Sequence, residues 1–92
     1  MKSDAERADD ARIMKLFRYR CVGCYSQATQ VHELVTRART KHATTIPQNR
    51  VPLCQSCHDR AHFNGYTESK EDFLRNKAIE RLVMFDESIE KW

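Results

Sequence analysis

Cys21-Val22-Gly23-Cys24 and Cys54-Gln55-Ser56-Cys57 are two C-x2-C pairs with 29 residues between them. Each pair can fill two vertices of one tetrahedron, so a four-thiolate structural zinc site is the leading reading of Cys21, Cys24, Cys54 and Cys57. A disulfide set is the weaker reading in a reducing compartment, and redox or iron–sulfur use is weaker still, because neither pair lies in a thioredoxin-like βαβ pattern. Gly23 is free to take the positive φ that a tight metal-binding turn often needs. His58 follows Cys57 directly and His62 lies four residues later. On a helix these two imidazoles share a face and can ligate one metal ion. His32 lies upstream in Val31-His32-Glu33-Leu34-Val35. A lone strand histidine is more often a packing residue, but this one accompanies a His-x3-His helix that also carries a thiol pair.

These groups need a scaffold, and 92 residues at 40% apolar content supply one small core. Two-domain enzymes are excluded, and residues 1–92 are read as a single domain. A core of this size leaves only about 3–5 kcal/mol of net stability. Structural zinc in small fingers binds with about 10–16 kcal/mol, so metal on the cysteines is the expected staple. Ser3 and Glu6 form a capping-box pattern, with Ile13, Leu16 and Phe17 at helical spacing, which predicts a helix over about 4–18. Residues 29–35 read as a strand, and Arg50–Leu53 as a shorter one that Pro52 confines to an edge. A polar, basic loop spans 36–49, and residues 55–64 read as a short helix with Gly65 beyond it.

Ser69 and Asp72 signal one more helix start. Leu74, Ala78, Leu82, Phe85, Ile89 and Trp92 then form one stripe, widened by Phe73, Ile79 and Val83, which predicts a long amphipathic helix over about 70–91. Packing on the core explains such a stripe; a homodimer or protein partner is the competing use.

The formal charge is only +3, yet it is unevenly placed. Lys15, Arg18, Arg20, Arg37, Arg39, Lys41 and Arg50 face a single acid, Glu33, giving the 15–50 segment +6 while both flanks are mildly acidic. Arg18, Arg20, Arg37, Arg39, Lys41 and Arg50 are therefore candidate contacts for nucleic-acid phosphates, against the alternative of a solvated basic face. No stretch resembles a signal peptide or approaches the roughly 20 apolar residues that span a bilayer. A soluble, intracellular protein with no membrane partner is expected.

The run C-V-G-C, then V-H-E-L-V-T-R-A-R, then N-R-V-P-L-C-Q-S-C-H-D-R-A-H-F resembles the HNH endonucleases, the ββα-metal nucleases, in their zinc-knuckle form. The likeness covers residues 21–65. It implies an α+β fold: a small ββα-metal (His-Me finger) core stapled by the four-cysteine zinc site and flanked by the amino-terminal helix and the long carboxy-terminal helix. It further implies metal-dependent hydrolysis of phosphodiester bonds, DNA before RNA and double-stranded DNA as the partner, to 5′-phosphate and 3′-hydroxyl ends. By the resemblance, His58 and His62 hold one catalytic divalent ion (Mg²⁺, Mn²⁺, Ni²⁺ or Zn²⁺), and Asn49 is the central Asn that orients the loop carrying the base. Aligned without a gap, His32 takes the first-strand ligand position and Glu33 the general base. The reverse assignment is His32 as base and Glu33 as ligand; having both neighbours in one site requires a strand end or bulge, since strand alternation points them to opposite faces. Thr36 stands where the family has a proline, the loop lacks the family's glycine pair, and His42 is a candidate helper within it. Two other readings compete: a non-catalytic zinc module that binds nucleic acid or protein, and a phage-encoded nuclease active only within a packaging or recombination complex.

Overall fold

Ser3 starts the first helix by accepting a hydrogen bond from the Glu6 N–H at 3.2 Å, so that α1 runs over Asp4–Leu16 with Asp4 and Glu6 in its first turn. The computed structural model describes residues 3–35, 48–63 and 68–92, the side chains of 62–63 and 68–71 excepted. The helix stops two residues short of the expected end. Arg18 (φ 56°) and Tyr19 (φ 60°) both turn left-handed and reverse the chain into a hairpin, in which Arg20 bridges Gln27 and the Ala28 N–H donates to the Tyr19 carbonyl. The tip of that hairpin carries Cys21 and Cys24.

β1 (Gln30–Glu33) and β2 (Arg50–Leu53) form a two-stranded antiparallel sheet in which His32 faces Val51 and Glu33 faces Arg50. Bonds from the Thr29 N–H to Leu53 and from the Leu34 N–H to Asn49 extend the ladder by one step at each end. β1 is shorter than the expected 29–35 because its only partner among the described residues has four residues. β2 is buried along its whole length. The Arg50 and Pro52 carbonyls point away from β1, where the Trp92 indole and the Val22 N–H bond them respectively. Proline sits at a position whose missing N–H costs no ladder bond, and the outer edge is covered.

α2 (Gln55–Phe63) follows β2 almost directly, and α3 (Glu68–Met84) packs against β2. The core joins Ile13 and Phe17 of the first segment, Leu34, Val51 and Leu53 around the sheet, and Leu74, Ala78 and Leu82 of α3. The single long helix expected over 70–91 is broken: Asp86 takes φ 59°, and a short 3-10 turn follows at Ile89–Lys91. The break lets Trp92 fold back onto Phe17, ring centroids 6.2 Å apart and nearly perpendicular. Ile89, Phe73 and Val83, placed by periodicity on the packed stripe, are 40%, 52% and 73% exposed. The arrangement is a small mix of helices with one two-stranded sheet, compatible with α+β, and among the described residues no helix is long and apolar enough to cross a membrane.

Candidate metal centre and the adjoining histidines

The hairpin after α1 delivers Cys21 and Cys24, and the β2–α2 junction delivers Cys54 and Cys57. All four sulfurs lie within 4.8 Å of one another, and none is in a disulfide. Zn–S bonds of about 2.3 Å in a tetrahedron separate sulfurs by about 3.8 Å. The Cys24 and Cys54 sulfurs are 3.6 Å apart, close to that edge. The four thiols can thus hold a metal such as zinc.

Main-chain N–H groups already point at this centre: Gly23 donates to the Cys21 sulfur at 3.3 Å and Cys57 to the Cys54 sulfur at 3.4 Å. Gly23 is needed here for space. It is not left-handed, contrary to expectation; that conformation falls on Tyr25 (φ 67°), whose N–H closes the turn onto the Cys21 carbonyl. A Cβ on Gly23 would lie 3.0 Å from the Cys57 sulfur.

The thiols are not equivalent. The Ser26 hydroxyl, 2.9 Å from the Cys24 sulfur, is the largest influence lowering Cys24. Burial opposes ionisation of Cys54, but Ser26, the Cys57 N–H and the neighbouring thiols outweigh it and hold Cys54 down at about 6. Burial pushes Cys21 up, and it pushes Cys57 up with the help of the surrounding sulfurs. Ser26 escaped the sequence reading; a hydroxyl two residues beyond a metal-pair cysteine is the signal that marks it.

No protein-family model, curated protein or solved structure matches this chain.

His32 on β1 is 6% exposed, and its ring meets that of His58 on α2, centroids 5.2 Å apart at 80°. His58 Nδ1 lies 4.0 Å from an Asp59 carboxylate oxygen. Glu33, half-buried, is the next strand residue and so belongs to the opposite face of β1. Among the described residues, the cysteines are the sole set of three or more candidate ligand atoms within 4.8 Å; Glu33 does not join His32 and His58 in another. His62 lies on α2, but its side chain is outside the described residues, as are Arg37, Arg39, Lys41 and His42.

Asn49 is buried, and its carboxamide binds one residue in both directions: Oδ1 accepts from the Val35 N–H at 2.7 Å and Nδ2 donates to the Val35 carbonyl at 3.1 Å. It clamps together the two ends of the 36–48 segment. Arg50 requires a correction as a phosphate contact. It is 5% exposed and ion-paired with Asp9 and Asp10 of α1, so its charge is neutralised inside the protein. Arg18 and Arg20 are exposed.

Proposed function

We propose that the protein is an HNH-type, ββα-metal endonuclease that hydrolyses nucleic-acid phosphodiester bonds, with DNA as substrate. The observation that carries this reading is the meeting of His32 and His58 across β1 and α2, one residue away from a complete four-cysteine centre. The cysteines, with zinc, would fix the α2 amino-terminal turn and so the direction of His58. His32 and His58, joined by His62 from the same helix, would hold one divalent ion. Such an ion, when bound, polarises the scissile phosphate and stabilises the leaving 3′-oxygen. Glu33 or His32 would take the proton of the attacking water. The facing rings support His32 as ligand; as base, Glu33 would have to reach the site from the opposite face, at the end of β1. Asn49, bonded to both main-chain groups of Val35, would steady the end of β1 that carries Glu33.

A second reading, a zinc module without catalysis, is favoured by one observation: the cysteines alone form a ligand set among the described residues. Plasmid nicking by zinc-loaded protein supplemented with Mg²⁺, Mn²⁺, Ni²⁺ or Zn²⁺ separates the two. The nuclease reading expects metal-dependent nicking that His58→Ala abolishes and Glu33→Ala lowers about 100-fold or more. Absence of metal-dependent nicking, or equal nicking by His58→Ala, sinks it.

A further inference from the structure

Beside the cysteine hairpin, three arginines are packed on two aromatic rings. The Arg18 guanidinium lies 4.4 Å from the Phe85 ring centroid and donates to the Phe85 carbonyl at 3.3 Å. Arg81 and Arg20 lie 4.7 and 5.7 Å from the centroid of Tyr25, which itself stands 6.4 Å from Phe85. The five side chains come from three separate segments: the turn after α1, the cysteine hairpin and the end of α3. Only the fold brings them together.

Other arginines of this chain have a carboxylate partner, as Arg12 has Asp9 and Arg75 has Asp72. Among the described residues, Arg18, Arg20 and Arg81 form no ion pair. Nearby acids do not compensate: Glu87 is taken by Lys91, and Asp86 pairs with none of the three. Stacking on a ring restricts a guanidinium without consuming its charge or its outward N–H donors. The result is three positive charges, pre-oriented and uncompensated. Arg18 also borders an open groove of about 460 Å³ lined by Arg12, Lys15, Leu16, Glu87 and Lys91, where Arg12 and Lys91 are paired with Asp9 and Glu87 and Lys15 adds one further cation.

We infer that Arg18, Arg20 and Arg81, held on Tyr25 and Phe85, form a docking surface for the phosphodiester backbone of a nucleic-acid strand. The inference deepens the nuclease reading and rests on it for the class of partner. It adds Arg81, Tyr25 and Phe85, which charge counting along the chain does not reach. It also makes the contact backbone-directed, holding the strand without reading its sequence.

The test uses anisotropy of short fluorescein-labelled DNA, duplex and single-stranded, with the zinc-loaded full chain and no added divalent ion, across a salt series. Arg81→Gln is expected to weaken binding several-fold and to reduce the slope of log affinity against log salt by about 0.7–0.9. Tyr25→Leu, which removes the ring under two arginines, is expected to weaken binding with an unchanged melting profile. Lys77→Gln, whose ion pair with Glu80 lies on the same helix outside the cluster, is the control and should bind as wild type. Wild-type affinity and slope in both Arg81→Gln and Tyr25→Leu would overturn the inference, as would failure of the wild type to bind either DNA. Displacement of DNA by polyglutamate at equal charge concentration would overturn the assignment of partner. Arg81-dependent binding without any nicking removes the nuclease reading and leaves the surface. Nicking with binding indifferent to Arg81 does the reverse.

Discussion

The cysteine cluster and the histidine pair share the β2–α2 corner, yet they are built to opposite specifications. Four sulfurs from two turns converge within 4.8 Å, which fills a tetrahedron and leaves no vertex for water or substrate. The two imidazoles come from a strand and a helix, and in the proposed nuclease they would fill only part of an ion's coordination sphere. Closed sets hold a fold together, whereas open sets leave room for a reactant. Cys57 and His58, adjacent in sequence, face different partners, the other sulfurs and the His32 ring, because a helix turns successive residues by about 100°.

The harshest challenge to this contrast compares Cys54→Ser with His58→Ala. Loss of one zinc ligand should abolish cooperative melting, since binding energies of about 10 kcal/mol or more exceed what this core supplies alone. His58→Ala should keep a cooperative transition near that of the wild type. If Cys54→Ser melts normally, the cysteines are not the staple. If His58→Ala fails to fold, the histidines are structural too.

A smaller effect is expected at Gly23. The added methyl of Gly23→Ala would press on the Cys57 sulfur at 3.0 Å, and overpacking of this kind costs about 1–3 kcal/mol. The loss should appear as weaker zinc affinity in competition with a chromophoric chelator. Unchanged affinity would show that the two cysteine pairs are less tightly opposed than described.

The finest distinction is proton release. With Cys54 held down at about 6 and Cys21 and Cys57 pushed up by burial, the metal-free site at pH 7 already has an ionised thiol. Zinc should therefore displace fewer than four protons at pH 7. The number should rise, and affinity fall, as pH drops through 6, because each protonated thiol competes with the metal. Calorimetry in buffers of different ionisation heat counts these protons. A count of four at pH 7 would mean that Ser26 does not bias the site.

Local chemistry was legible in the sequence wherever the determinant was local. The Ser3 cap, the β2 span at Arg50–Leu53 and the helix carrying Cys57 and His58 follow from side chains within a few residues of one another. The approach of the two C-x2-C pairs was legible as well, because spacing encodes it. What escaped depends on partners far along the chain. Arg50 reads as one more cation in a basic stretch until Asp9 and Asp10 are seen against it. Helical periodicity carried through Phe85 to Trp92 cannot register a left-handed Asp86, which is permitted by a short polar side chain and used to return Trp92 to the core. Arg81 lies outside the basic 15–50 segment, and its contact with Tyr25 exists only once the hairpin lies beside α3.

That return of Trp92 has a practical side. It is the sole tryptophan of the chain, buried edge-on against Phe17, with its indole N–H bonded to the Arg50 carbonyl of β2. Its fluorescence therefore reports optically on the junction of α1, β2 and the 3-10 turn, with no label attached. Stopped-flow mixing with zinc can follow closure of that junction in real time, and tell whether the cysteine corner and the far side of the sheet assemble in one kinetic event or two.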